Sequence, residues 1–303
     1  TDAVKIRLQS DVPIGSFLSG GVDSALVSSI AGKISAKPIN TFSIGFDNPK
    51  FDESKVADEF AKYIKSHHKT TFCSAHDSLK LLPKLVEVYD EPFADSSALP
   101  SLLLNSVTKP HVTVALSGDG GDESFLGYDH FDWVMKYKWI FKLPLFIRKL
   151  ISQPLFLKLL GKGSEAATNV LSTENIDTYI SQVFIGFDTI NNERNFSWLS
   201  HYNGYMKWSK NVIQKTADLN IKLWLENDSN VKVDRASMAY SVEVRSPFLD
   251  YRIVEYARSL PVSYRYQKNN RKRILKDILE EYIPKAVFDQ PKKGFSIPLG
   301  DWI

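Results

Sequence analysis

The sequence predicts an α/β protein: a parallel sheet covered by helices across residues 1–130, followed by a mostly helical part across residues 131–303. Three observations carry this. Short apolar segments alternate with helical stripes in the first part. Two glycine-rich, acidic loops each begin where an apolar segment ends. Beyond about residue 130, strand-like alternation gives way to aromatic and basic residues.

In chain order, Val12 to Leu18 reads as a strand running into Ser19-Gly20-Gly21, and Ala25 to Ile34 carries apolar residues at helical spacing. Ile39 to Phe46 is a second strand, stopped by Asp47-Asn48-Pro49. Asp52 to Ile64 follows as a helix, with Phe51, Val56, Phe60, Tyr63 and Ile64 along one stripe. His68 to Phe72 is a weaker strand, Leu79 to Tyr89 and Leu99 to Val107 are helices, and the β-branched run Val112 to Leu116 is a fourth strand. In the second part, Trp139 to Leu160 mixes apolar residues with Lys142, Arg148, Lys149 and Lys158. Pro144 and Pro154 divide it into short helices, buried against a neighbouring lobe rather than lying on a membrane. Gly161 to Ser164 reads as an exposed loop. Lys268 to Lys276, followed by Asp277, Glu280 and Glu281, reads as a solvated amphipathic helix rather than a nucleic-acid contact.

Composition narrows the class. A chain 43% hydrophobic and 24% charged builds a sizeable core and is not intrinsically disordered. Lys+Arg 38 against Asp+Glu 35 leaves a formal charge of +3, so no polyanion-binding field argues for nucleic acid as a partner. One cysteine, Cys73, excludes an internal disulfide and points to a reducing, cytoplasmic setting. His67, His68, Cys73 and His76 lie close together, but without a second ligand pair they read as structural. No apolar run reaches the roughly 18 residues of a membrane span, and Thr1 to Gln9 lacks the order of a signal peptide.

The two loops carry the chemistry. Ser19-Gly20-Gly21-Val22-Asp23-Ser24 follows the first strand and opens the first helix, where open α/β sheets bind their ligands. Its glycines expose backbone N–H groups, the helix start adds partial positive charge, and Ser19 and Ser24 add hydroxyl donors; together they suit a phosphate. No lysine follows the glycines, so this is not the G-x-x-x-x-G-K-[ST] loop. It suits an enzyme that attacks the α-phosphorus of ATP and releases pyrophosphate. Asp23 needs a cation between itself and phosphate, most simply Mg²⁺. Ser117-Gly118-Asp119-Gly120-Gly121-Asp122-Glu123 repeats the logic after the fourth strand, and its three acids repel one another unless a metal is present. The simple alternatives are an ordinary turn ending in a first-turn helix acid for the first loop, and for the second a flexible acidic turn or a calcium loop, although the EF-hand pattern D-x-[DN]-x-[DN]-G is not matched.

These segments, with Phe42 to Phe46, Asp90-Glu91-Pro92-Phe93 and Asp95, Asp234-Arg235, Glu243 to Asp250 and Pro291 to Phe295, resemble in order the synthetase domain of glutamine-dependent asparagine synthetases. The resemblance implies an adenine-nucleotide α-hydrolase-like fold, that of the PP-loop ATPases, with residues 1–130 as its nucleotide-binding core and residues 131–303 completing the same domain and active site. It implies that a carboxylate, aspartate by default, attacks ATP to give an acyl-adenylate and pyrophosphate, and that ammonia then displaces AMP. By match, Leu18, Ile44, Ser117 and Gly118 would contact adenosine, Ser19 to Ser24 would cradle pyrophosphate, and Asp23 and Asp122 would hold Mg²⁺. Lys292 matches the lysine that stabilises charge at the α-phosphorus, and Asp119 the acid of the second loop. Arg235 and Arg245 would be anion clamps, Arg245 alternatively pairing with Glu243 or Asp250, and Glu243 joins the catalytic candidates. Relatives that close rings often carry tyrosine at the position of Asp119, so an acid there favours amide formation. The glutaminase domain of such enzymes begins with a cysteine, whereas Cys73 is internal. Ammonia is therefore expected from a glutaminase domain or subunit outside this sequence, with a homodimer as another compatible assembly. A tRNA-modifying PP-loop ATPase would share the first loop without needing the second. A non-catalytic scaffold would have no reason to keep Asp23, Asp122 and Lys292 together.

Overall fold

The computed structural model describes residues 1–153, 165–185, 202, 204–290 and 297. Five strands form one parallel sheet in the order β3-β2-β1-β4-β5: β1 Ile14–Phe17, β2 Asn40–Gly45, β3 His67–Phe72, β4 Val114–Leu116 and β5 Glu243–Arg245. The first four correspond to the expected strands; β5 was not expected. It comes from the part read as helical, pairs Val114 with Glu243 and Leu116 with Arg245, and is fastened at its end by Ser117 N–H donating to the Arg245 carbonyl at 3.0 Å.

The crossovers are helical. α1 Asp2–Arg7 precedes β1, α2 Val22–Ile34 connects β1 to β2, and α3 Ser54–Ile64 connects β2 to β3. α4 Ala75–Val88 and α5 Ala98–Thr108 lead to β4. α4 starts earlier than the apolar stripe suggests, because Ser74 and Asp77 form a reciprocal capping box. α2 is buried nearly all round: Leu26, Val27, Ile30 and Ala31 pack in one core with Phe60 of α3 and with Leu275 and Leu279 of the helix Arg273–Leu279. The opposite face of the sheet buries Phe42, Ile44 and Phe46 against Leu99 and Leu104 of α5.

This order creates a switch point. From β1 the chain winds outward through β2 and β3, then returns to lay β4 on the other side of β1. The loops leaving the carboxyl ends of β1 and β4 therefore flank one crevice.

The described residues of the second part are mostly helical as expected, apart from β5 and a short hairpin, Tyr266–Gln267 with Asn270–Arg271. The segment after Trp139 is a 3₁₀ turn, Lys138–Lys142, and a helix, Leu145–Ile151, that begins directly after Pro144. Ile140 and Phe141 pack into a helical lobe around Val134, Tyr179, Ile180 and Leu219. Buried Arg148 donates to the carbonyls of Leu143, Leu171, Thr173 and Glu174, which stitches that lobe together. Pro154 and Gly161 to Ser164 lie outside the described residues. A continuous run follows, Val212–Asn220 as α-helix, Ile221–Ser229 as π-helix and Asn230–Met238 as α-helix again. Among the described residues, no helix is long and apolar enough to cross a membrane.

Candidate active site

At the switch point the first loop is held by its own serines. The Ser19 backbone N–H donates to Ser24 Oγ at 3.1 Å, the two hydroxyls lie 2.9 Å apart, and the Gly21 N–H donates to Ser19 Oγ at 3.2 Å. The second loop is tied to the end of β5, with Ser117 Oγ 2.6 Å from Ser246 Oγ. The two loops interlock where side chains are absent. A Cβ on Gly118 would stand 2.7 Å from Ser24 N, and one on Gly121 2.6 Å from Asp23 Cγ. Only glycine permits that approach, and the approach brings Asp23 and Asp122 together.

A lysine occupies the space between them. Lys272 Nζ lies 2.7 Å from Asp122 Oδ1 and pairs with Asp23 Oδ2, and its side chain is 7% exposed. Burial works against its charge, but attraction to Asp122 and Asp23 and hydrogen bonds to both prevail, so its pKa is raised. This corrects the reading of Lys268 to Lys276 as a solvated amphipathic helix at one residue: the helix is amphipathic, but Lys272 is buried. The helix starts at Arg273, and Lys272 is its N-cap, in the left-handed region at φ 55. The signal was present in the spacing. Lys272, Leu275 and Leu279 share one i, i+3, i+7 stripe, and all three are buried.

The remaining acids of the second loop sit in drier surroundings. Glu123 is buried, and burial followed by the neighbouring Asp122 pushes its carboxyl up to about 7. The Tyr128 hydroxyl donates to Glu123 Oε1 at 2.6 Å and is itself hydrogen-bonded to Trp224 of the π-helix. Asp119 is also raised, by desolvation, against a hydrogen bond with Ser117 and attraction to Lys232. Lys232 in turn donates to Asp95 Oδ2 at 2.7 Å. Asp95 Oδ1 caps the start of α5 through Ser97 N–H and Oγ at 2.8 and 2.7 Å. Asp228 hydrogen-bonds Asp95, and burial and then Asp95 push it up to about 6. The sequence reading missed Lys232 and Asp228; the π-helix that carries Asp228 has no periodic signature in the sequence.

The asparagine synthase family model matches residues 1–303. The chain belongs to the asparagine synthase family. It is 31% identical over its full length to asparagine synthetase [glutamine-hydrolyzing] 1 of Bacillus subtilis, covering 49% of that protein. It is 29% identical to a putative asparagine synthetase of Mycobacterium tuberculosis, covering 47% of it. A putative asparagine synthetase 2 of Methanocaldococcus jannaschii is 42% identical over 148 residues, 48% of this chain and 28% of that protein. The chain thus spans about half the length of the curated relatives that it matches along its whole length.

In this asparagine synthase domain, Leu18 and Ile44 are buried at the carboxyl ends of β1 and β2, beside the two loops. Arg235 projects from the helix Asn230–Met238 with an exposed side chain and pairs with Asp90 at 2.6 Å. Glu243 is not brought to the loops. It stands at the amino end of β5 opposite Val114, exposed and paired with Arg245 at 2.6 Å. Arg245 also donates to the carbonyls of Arg7 and Gln9 at 2.9 and 2.7 Å, so it ties the end of α1 to the sheet rather than facing an anion. Lys292 lies outside the described residues. His68 is hydrogen-bonded to Thr41 and Ser43 across β2 and β3, and the described residues hold no group of three metal-ligating side chains there or elsewhere.

Proposed function

We propose that the chain activates the carboxylate of a small substrate, aspartate by default, as an acyl-adenylate at the expense of ATP, and forms the amide with ammonia. One observation carries this reading: two interlocked glycine loops at the switch point aim Asp23 and Asp122 at a single cation. Those two carboxylates fit a divalent metal, because they already converge on one positive nitrogen. They would hold Mg²⁺, which when bound neutralises the charge of the departing pyrophosphate.

The chain's own groups supply the rest. Ser19, Gly20, Gly21 and Ser24 present N–H and hydroxyl donors to the β- and γ-phosphates at the start of α2. Leu18, Ile44, Ser117 and Gly118 flank the adenosine. As the carboxylate oxygen bonds to the α-phosphorus, the bond to pyrophosphate breaks, and Lys292 stabilises the growing negative charge on the phosphoryl oxygens. Ammonia then adds to the acyl carbon. Asp119, the acid of the second loop, takes the proton that nitrogen must lose as AMP departs. Arg235 is an anion clamp at the rim. Glu243, paired on β5, serves the sheet and not the chemistry. Residues 1–130 would form the nucleotide-binding core and residues 131–303 would complete the same site. In the complete protein, ammonia would come from glutamine through a glutaminase domain or subunit.

The test is product analysis. Chain, ATP, Mg²⁺, ammonium and a panel of carboxylates should yield AMP, pyrophosphate and one amide, identified by mass. Release of ADP and phosphate would overturn the reading.

A further inference from the structure

The carboxylates assigned above to a metal already have a cation that belongs to the chain, and four features mark it as built in. Lys272 is buried with its ammonium against both Asp23 and Asp122. Its backbone is left-handed, an uncommon conformation for lysine, and such residues persist where the surrounding structure holds them. Gly127 leaves room for it: a Cβ there would stand 2.0 Å from Lys272 Cε and 1.9 Å from Asp122 Oδ1. The helix that follows Lys272 is anchored in the main core by Leu275 and Leu279, so the ammonium is delivered to the site by a rigid element.

Charge arithmetic then sets a conflict. Two carboxylates and one ammonium leave one net negative charge. A divalent cation seated on the same carboxylates, with the ammonium in place, would set two cations side by side in a small dry space. The conflict disappears when a polyphosphate arrives with the metal, because the ammonium then has anionic oxygens to face.

We propose that Lys272 is a resident counter-cation for Asp23 and Asp122: it holds the two carboxylates together when nucleotide is absent, opposes a free divalent metal, and yields them when metal and polyphosphate enter together. Lys272 is in this sense a positioning residue that couples metal binding to nucleotide binding. The inference rests on reading Asp23 and Asp122 as the metal carboxylates.

Mn²⁺ alone, followed by electron paramagnetic resonance, is the probe. Without nucleotide, the unmodified chain should bind Mn²⁺ weakly, Lys272→Met about tenfold more tightly or better, and Lys272→Arg as weakly as the parent. Addition of ATP should tighten binding in the parent and much less in Lys272→Met. Equal or weaker Mn²⁺ affinity in a folded Lys272→Met would overturn the proposal. If that variant does not fold, lysine acetylation of the unmodified chain, read by mass spectrometry, decides. Lys272 should be protected without metal and several-fold more reactive at saturating Mn²⁺; unchanged protection would overturn the proposal. Asp23→Asn and Asp122→Asn separate the two readings. If neither weakens Mn²⁺ binding, the metal assignment itself fails. If both weaken it and Lys272→Met still binds no more tightly, only the counter-cation role fails.

Discussion

Two places in the molecule set a pair of aspartates beside one lysine, and each settles the charge in its own way. Lys272 stands between Asp23 and Asp122 and reaches both. Lys232 stands to one side, 2.7 Å from Asp95, while Asp228 hydrogen-bonds Asp95 and its buried Oδ1 finds no hydrogen-bond partner among the described residues. At the first place a fixed cation balances the carboxylates. At the second a proton shared between carboxyl groups does part of that work, and Asp228 rises to about 6. The residue types are identical. Whether the lysine sits between the acids or beside them decides if both carboxylates or only one of them has an ammonium partner.

The largest expected effect comes from breaking the first cluster at a carboxylate. Asp23→Asn or Asp122→Asn should lower AMP formation by about two to three orders of magnitude, with the circular dichroism spectrum unchanged. A loss below tenfold in both would mean that these carboxylates do not serve the reaction.

Removing the cation is the next step down. Lys272→Met leaves Asp23 and Asp122 facing each other in a buried site, which should cost about 3 kcal/mol of stability in metal-free buffer, read by urea denaturation. Mg²⁺ with ATP should restore part of it. A variant as stable as the parent without metal would show that the lysine does not balance the pair.

The second cluster is tested by pH. The Asp228 carboxyl is raised from 3.8 to about 6, so the folded chain binds a proton that the unfolded chain has released across that interval. This contribution to stability is fully present below pH ~4 and is lost as pH rises through ~6. Asp228→Asn removes the dependence. Its melting temperature relative to the parent should improve by a few degrees between pH 4 and pH 8. A constant difference would place the shared proton elsewhere.

The smallest effect belongs to a charge pair outside both clusters. Arg245→Ala loses its bonds to Glu243 and to the carbonyls of Arg7 and Gln9, and should cost about 1 kcal/mol with AMP formation unchanged. A large loss of activity would return Arg245 to the reacting anion.

Much of this was legible in the sequence, for physical reasons that also explain the gaps. Strands β1, β2 and β4 announce themselves because they are largely buried, so each is an apolar run that gives way to a Ser-Gly pair or to aspartate. β5 hides because it is a three-residue edge strand with a charged residue at each end, held by the ladder to β4 rather than by its own apolarity. The loops could be placed on one sheet edge by their position after parallel strands. That β4 lies against β1, which makes the two loops neighbours, depends on strand order, and strand order is not written in local pattern. Lys272 hides among five basic residues from Lys268 to Lys276, and only its place on the buried stripe with Leu275 and Leu279 distinguishes it.

The most direct measurement follows one oxygen atom. Aspartate labelled with ¹⁸O in its side-chain carboxylate, incubated with the chain, ATP, Mg²⁺ and ammonium, should transfer one label to the phosphoryl group of AMP and none to pyrophosphate, because that oxygen bridges carbon and the α-phosphorus before ammonia displaces it. Label in inorganic phosphate alongside ADP, or amide formation with AMP unlabelled, would contradict an acyl-adenylate formed between the two loops.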